Sequence, residues 1–128
     1  MTVNIHSEKE LNILFVDDEE ELVVINEKLL SRLGYNVKGF HSPVEALNYF
    51  ESAPESIDIV VSDKYMPDLD GIELIEAIHQ VRPIPSILVT GSDNGARSQK
   101  IKPHLCKVID KPYSLAELSK EIRNIYSA

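Results

Sequence analysis

Short apolar runs alternate with longer stretches of helical spacing along the chain. The short runs have the length and β-branched content of strands that are buried in a parallel sheet. The longer stretches repeat leucine, isoleucine or valine every three or four residues, as on one face of an amphipathic helix. The predicted strands cover residues 13–16, 35–40, 57–61, 84–89 and 105–109. The predicted helices cover residues 19–33, 42–52, 70–82 and 114–125, with a weaker one at 92–102.

This alternation of strand and helix predicts one fold class. Right-handed crossovers between parallel strands place the intervening helices on both sides of a sheet. We therefore expect an α/β fold in which a five-stranded parallel sheet has helices on both faces. Residues that can cap a helix support these boundaries, with Gly34 after the first helix. Ser42, Asp70 and Ser114 stand at the starts of three others.

Composition limits the class of protein further. The chain of 128 residues has the length of one domain, and we expect residues 11–128 to form it and residues 1–10 to form a polar tail. Cys106 is the only cysteine, so no internal disulfide can form, and its apolar neighbours predict a buried thiol. The sequence has no leader and no apolar run of about 18 residues, which predicts a cytoplasmic protein without a membrane partner.

The formal net charge of −8 argues against direct binding to nucleic acid. Phosphate backbones are bound by clustered lysine and arginine side chains that displace counterions. An excess of acidic residues usually serves solubility alone. Here some of these residues could be concentrated at one cation site.

Polar side chains follow four of the five predicted strands. Asp17 and Asp18 end the first strand, Asp63 follows the third, Thr90 the fourth and Lys111 the fifth. The carboxyl ends of parallel strands lie along one edge of a sheet, which is where such folds bind ligands. We therefore expect these five side chains to meet at that edge.

Their chemistry predicts a metal-assisted phosphoryl acceptor. Three neighbouring carboxylates repel one another and raise each other's pKa unless a cation lies among them, and Mg2+ prefers such oxygen ligands. Asp18 and Asp63 would be direct ligands, and Asp17 a ligand either directly or through water. A lysine ammonium and a threonine hydroxyl can hold anionic oxygens while charge shifts, as phosphoryl transfer requires. Asp63 would then be the nucleophile that takes the phosphoryl group as an acyl phosphate.

Each of these residues also has a simpler interpretation. Asp17 and Asp18, with the three glutamates that follow, could form the acidic first turn that a helix dipole favours. Lys111 could be a solvated charge before a helix, and Thr90 could be a hydroxyl at an ordinary strand end. Asp63 alone could belong to a turn. Their coincidence at four strand ends of one sheet favours a site.

At these positions the sequence resembles the receiver domains of bacterial two-component response regulators, over about residues 11–126. The tail of residues 1–11, Arg82 with Pro83, and Thr90 with Gly91 also look similar to receivers that are attached to hybrid sensor kinases. The matching residues are Val16, Asp17, Asp18 and Glu19; Asp63, Met66, Pro67, Asp70 and Gly71; Thr90 and Gly91; and Lys111 and Pro112.

The resemblance implies a fold and a function. The fold would be the flavodoxin-like (βα)5 arrangement with strand order 2-1-3-4-5. Asp63 would be phosphorylated from a phosphohistidine of a sensor histidine kinase or a histidine phosphotransfer protein. Mg2+ would be held by Asp18, Asp63 and the main-chain carbonyl of Tyr65, with Asp17 close by, while Thr90 and Lys111 would contact the phosphoryl oxygens.

The resemblance further implies that the chain is not an enzyme beyond its own phosphorylation and autodephosphorylation. Its output would be a changed surface for a downstream effector or a domain of the same chain. That surface would combine the weak fourth helix, the fifth strand and the last helix.

The chain departs from the family pattern at Val108. Receivers usually have tyrosine or phenylalanine three residues before the lysine, and that ring turns inward when the threonine moves to the phosphate. Valine cannot make this movement, which predicts a muted or rerouted switch. Tyr65 and Ser92, two residues after Asp63 and Thr90, would flank the path of an attacking water and set the lifetime of the phosphoryl group.

Two other functions use a related sheet. Mg2+-dependent phosphatases with an aspartyl nucleophile have an Asp-x-Asp pattern that begins at the nucleophile. In this chain Tyr65 occupies the place of the second aspartate. A flavodoxin-like electron carrier needs a hydroxyl-rich phosphate loop after the first strand, where this chain has acids. Turnover of a phosphate ester would identify the first, and a coloured protein the second.

Overall fold

The computed structural model describes residues 11–91 and 105–127, which include five parallel strands in one sheet of order β2-β1-β3-β4-β5. The strands are β1 (Asn12–Val16), β2 (Asn36–Phe40), β3 (Ile59–Asp63), β4 (Ser86–Thr90) and β5 (Cys106–Asp110). The helices are α1 (Glu20–Arg32), α2 (Pro43–Ser52), α3 (Gly71–Val81) and α4 (Leu115–Ser127), with a short 3-10 helix at Pro54–Ser56. The predicted sheet and its strand order are confirmed.

Alternate residues of the strands point to opposite faces of the sheet, and each face carries its own core. Helices α2 and α3 cover one face, where Phe50 and Ile75 are fully buried beside Leu14 of β1. Helices α1 and α4 cover the other face, where Leu30 and Leu118 pack with Phe15. The prediction of helices on both faces is therefore confirmed, and the weak helix predicted at 92–102 lies outside the described residues.

Three strands end later than their apolar runs predicted. β3 was expected to end at Val61, but Ser62 and Asp63 continue it by pairing with Leu88 and Val89 of β4. β4 and β5 likewise each end one residue beyond the predicted boundary. Backbone hydrogen bonds to a neighbouring strand can extend a strand whether its side chains are apolar or polar. The polar side chains at these ends therefore belong to the sheet rather than to the loops after it.

The predicted helix boundaries agree with the structure. Gly34 follows α1 with φ of 101°, a left-handed conformation that suits glycine. Asp70 and Glu73 form a reciprocal capping box at the start of α3, with bonds of 2.8 and 2.9 Å. Ser114 and Glu117 form the same arrangement before α4.

Two further observations concern the predicted environment of the chain. Cys106 is partly exposed, so the prediction of a buried thiol was wrong. The reason is that β5 is an edge strand, with a partner strand on one side only. Among the described helices, none combines the length and the apolar character needed to cross a membrane.

Candidate phosphoryl-acceptor site

Three carboxylates meet at the carboxyl edge of the sheet. Asp17 and Asp18 follow β1, and Asp63 ends β3, which is the strand paired beside β1. Each of the three contributes a carboxylate oxygen to a group whose members all lie within 4.8 Å of one another. The structure thus brings together the acids that the sequence pattern had placed at this edge.

Two of these three acids are buried, which is unusual for aspartate. Asp17 is 5% exposed and Asp63 is 8% exposed. Burial raises the pKa of the Asp17 carboxyl, and the negative charges of Asp63 and Asp18 raise it further. The backbone N–H of Glu19, which donates to Asp17 Oδ1 at 2.9 Å, and the ammonium of Lys111 both lower this pKa without offsetting the rise. A cation bound beside Asp17 would act in the opposite direction and favour its ionised form.

Lys111 is directly paired with the central acid. Its Nζ lies 3.0 Å from Asp63 Oδ1, and its backbone N–H donates to the carbonyl oxygen of Thr90 at 2.8 Å. Burial lowers the pKa of Lys111, but the hydrogen bond with Asp63 and the charges of Asp63, Asp17 and Glu19 outweigh it and raise the pKa. The ammonium is accordingly held in its charged form beside Asp63.

Thr90 ends β4 and is 2% exposed. It stands one residue beyond Val89, the register partner of Asp63, and pairs with Asp110 of β5. Thr90 therefore lies between the strand that carries Asp63 and the strand that leads to Lys111. Thr90 and Lys111 lie at the same edge of the sheet as Asp63, whose carboxylate pairs with the Nζ of Lys111.

The loop after β3 is closely fixed against the sheet. Lys64 donates its N–H to the carbonyl of Val89 at 2.8 Å, and its own carbonyl accepts the N–H of Gly71 at 2.8 Å. A Cβ on Gly71 would collide with the carbonyl oxygen of Asp63, so only glycine allows this approach. Within the loop, Asp68 has φ of 71° and the N–H of Leu69 donates to Pro67 O at 2.7 Å, as in a γ-turn.

Tyr65 belongs to this loop and is 58% exposed. The Nζ of Lys64 lies over the Tyr65 ring, 5.1 Å from the ring centroid. The carbonyl of Tyr65 lies two residues beyond the acceptor, and its role as a metal ligand remains a prediction. Ser92, the other residue expected to set the phosphoryl lifetime, lies outside the described residues.

Sequence reasoning missed two residues here. Burial raises the pKa of Tyr113 to about 12, and the charges of Asp17 and Asp63 contribute to that rise. The ring of Tyr113 lines a groove of about 570 Å3 that Asp17 and Lys111 border on one side. Lys64, the other missed residue, is 6% exposed although it is a charged residue that directly follows Asp63. The only available signals were their positions beside Lys111 and Asp63 in sequence.

The donor set suits a hard divalent cation. Carboxylate oxygens are the ligands that Mg2+ and Ca2+ prefer, and here they come from two adjacent strand ends. Of the three acids Asp17, Asp18 and Asp63, the central one, Asp63, is paired with the ammonium of Lys111. Burial, and to a smaller extent the charges of Asp63 and Asp18, raise the pKa of Asp17, and a bound cation would lower it. The cluster can therefore bind a metal ion.

Known proteins are similar to this chain in sequence and in architecture. The chain is 33% identical to the two-component response regulator ARR11 of Arabidopsis thaliana, over 84% of this chain and 21% of that protein. It is also 33% identical to the sensor kinase CckA of Brucella abortus, over 88% of this chain and 12% of that protein. The chain thus spans about a fifth or less of the length of these curated relatives.

Solved receiver domains have the same fold. A response regulator receiver domain protein from Clostridium thermocellum superimposes with a TM-score of 0.83 at 28% identity, covering 91% of this chain and 94% of that one. The receiver domain of the hybrid histidine kinase CckA gives a TM-score of 0.74 at 26% identity, covering 89% and 97%. The family model of the response regulator receiver domain matches residues 13–123. The chain therefore belongs to the response regulator receiver domain family, the signalling domains of two-component systems.

Proposed function

We propose that Asp63 is the phospho-acceptor of a two-component phosphorelay and that Mg2+ supports its phosphorylation. The observation that carries this proposal is the position of Asp63, which lies beside Asp17 and Asp18 and 3.0 Å from Lys111 Nζ. A carboxylate so placed has a cation to orient it and further groups to hold the oxygens of an incoming phosphoryl group.

The transfer step follows from these positions. An Asp63 carboxylate oxygen attacks phosphorus, a P–O bond forms, and the P–N bond of the phosphohistidine breaks so that the imidazole leaves. Lys111, released from its ion pair with the ionised carboxylate, and Thr90 hold phosphoryl oxygens. Asp17, Asp18, Asp63 and the Tyr65 carbonyl would hold Mg2+, which when bound supplies positive charge for the carboxylates and the phosphoryl oxygens.

Intact mass spectrometry tests this function with acetyl phosphate as the donor. In the presence of Mg2+ we expect a species heavier by one phosphoryl group, and we expect EDTA to suppress it because the crowded carboxylates then lack a compensating cation. A protein that stays unmodified with Mg2+ present contradicts the proposal. Steady turnover of a generic phosphate ester would instead favour the aspartyl-nucleophile phosphatase.

The proposed function requires a phosphoryl donor and an effector that recognises the phosphorylated domain. The donor would be a sensor histidine kinase or a histidine phosphotransfer protein in the cytoplasm, and the similarity to a region of the sensor kinase CckA supports this class. The output would be a surface that includes β5 and α4, recognised by an effector protein or by a domain of the same chain. On β5, Val108 is 44% exposed, and a valine in place of a ring favours signal transmission through other residues.

Replacing Tyr65 with alanine should shorten the lifetime of the phosphoryl group. Water must reach phosphorus in line with the bond to Asp63, and we expect the exposed Tyr65 ring, two residues along the chain, to obstruct part of that approach. After removal of acetyl phosphate, the acyl phosphate of Tyr65→Ala should decay several times faster than that of the natural protein. Equal decay rates would dismiss this role for the ring.

A further inference from the structure

We propose that Glu27 is a positioning residue of the metal site: its carboxylate fixes the end of β2, whose backbone in turn holds Asp17 in place for Mg2+. The inference rests on the proposed function of the acidic cluster. Oε2 of Glu27 accepts the backbone N–H of Gly39 at 2.8 Å. The next residue of β2, Phe40, accepts the backbone N–H of Asp17 at 3.2 Å through its carbonyl oxygen. Two consecutive residues of β2 therefore link a side chain of α1 to the first acid of the site.

Gly39 lies on the open side of an edge strand. β2 stands at one end of the described sheet and pairs with β1. Asn36 and Phe40 both bond to the β1 side, through the Asn36 N–H and the Phe40 carbonyl. Alternate residues of a strand in a parallel pair bond to the same neighbour, so the N–H of Gly39 points away from β1. An N–H on this side is satisfied by a side chain or by water, and Glu27 supplies the acceptor.

The fit between Glu27 and Gly39 is close. A Cβ at position 39 would lie 2.6 Å from Cγ1 of Val23 and 2.8 Å from both Cδ and Oε2 of Glu27. A larger residue would push the carboxylate away, so glycine at this position permits the hydrogen bond. Val23 is buried and lies one turn before Glu27 on the same face of α1. Glu27 therefore projects from a helix that is itself held against the sheet.

Other contacts hold the two ends of this link. The ring of Phe40 packs against the ring of Tyr49, with centroids 5.5 Å apart, so α2 supports the end of β2 from the other face of the sheet. The backbone N–H of Glu19 donates to Asp17 Oδ1 at 2.9 Å and orients the carboxylate itself. Glu27 adds a bond to the backbone of β2 from the α1 side. Loss of that bond should loosen the strand end without unfolding the sheet, so we expect a moderate effect on Mg2+ binding.

Mg2+ binding separates this role from the charge of Glu27. Glu27→Met and Glu27→Gln both lose the negative charge, but glutamine keeps an oxygen that can accept the Gly39 N–H. We expect Glu27→Met to bind Mg2+ about three- to tenfold more weakly than the natural protein, as followed by amide chemical shifts at the acidic cluster. Glu27→Gln should bind Mg2+ within about twofold of the natural protein, because salt screens a charge outside the cluster. Equal weakening in both variants would mean that the charge and not the hydrogen bond acts on the metal, and would overturn the inference.

Hydrogen exchange tests the link without metal or phosphorylation. The amide of Asp17 should exchange about fivefold faster in Glu27→Met than in the natural protein, because the end of β2 opens more often. The amide of Asn36, which donates to Leu11 O at the start of the same strand, should keep its natural rate. An Asp17 amide that exchanges at the natural rate in Glu27→Met would show that Glu27 does not hold this end of β2, and the inference would fail.

Asp58→Leu is the matched control for stability. Oδ2 of Asp58 accepts the backbone N–H of Asn12 at 2.8 Å, which is the same kind of bond at the opposite end of β1. Its loss should lower folding stability to a similar extent as Glu27→Met but leave Mg2+ binding unchanged. Equal weakening of Mg2+ binding in Asp58→Leu would show that any loss of stability loosens the site, against the inference. A natural protein that binds no Mg2+ would remove the inference together with the metal-assisted function, whereas natural binding that survives in Glu27→Met would remove the inference alone.

Discussion

Asp63→Asn should abolish phosphoryl acceptance, the largest change that we expect from one substitution in the site. Asparagine keeps nearly the same size, but its neutral amide is no nucleophile toward phosphorus. It also removes the anionic oxygen that lies 3.0 Å from Lys111 Nζ. With acetyl phosphate and Mg2+ present, intact mass spectrometry should detect no species heavier by one phosphoryl group.

Asp68→Asn is the matched control for this substitution. Asp68 lies in the loop after β3 with φ of 71°, a left-handed conformation that asparagine tolerates as well as aspartate does. It makes the same chemical change five residues away, so we expect phosphorylation to the natural extent. An Asp63→Asn protein that still gains the phosphoryl mass would place the acceptor on another residue, which peptide mapping would locate.

The parallel sheet and the proximity of the acids at its edge could be predicted from the sequence. Both follow from the local hydrophobic pattern and from the topology of parallel strands. Buried parallel strands show as apolar runs, and their carboxyl ends share one edge whatever lies between them in sequence. Asp17 and Asp63 stand 46 residues apart, yet the strand order places them side by side. Their roles depend on a ligand and a donor, so they stay predictions.

The strand ends and the neighbours of the acids could not be predicted, because both depend on tertiary contacts. Ser62 and Asp63 are polar, and only their pairing with β4 shows that they belong to a strand. The burial of Lys64 and Tyr113 likewise comes from packing against distant elements. A charged residue and a tyrosine in loops carry no periodic signal that would distinguish them from solvated side chains.

Gly71→Ala should destabilise the protein and disturb the acceptor at the same time. A Cβ at this position would collide with the carbonyl oxygen of Asp63 and lie 2.9 Å from the Cα of Lys64. Both atoms belong to a backbone held by ladder hydrogen bonds, so neither can move away as a flexible side chain would. Alanine is the better helix former by about 1 kcal/mol, but overpacking outweighs this, and we expect a loss of about 3 kcal/mol in unfolding free energy.

Chemical denaturation measures that loss, and Gly91→Ala is the control. Gly91 directly follows Thr90 at the same edge of the sheet, yet a Cβ there would meet no atom of residues 11–91 or 105–127 within 4 Å. We therefore expect its unfolding free energy to change by less than about 0.5 kcal/mol. Because the clash at Gly71 falls on the carbonyl of the acceptor itself, folded Gly71→Ala should also accept phosphoryl groups more slowly than folded Gly91→Ala. Equal stability of the two variants would mean that α3 can shift away from β3, and that the close approach at Gly71 does not set the position of Asp63.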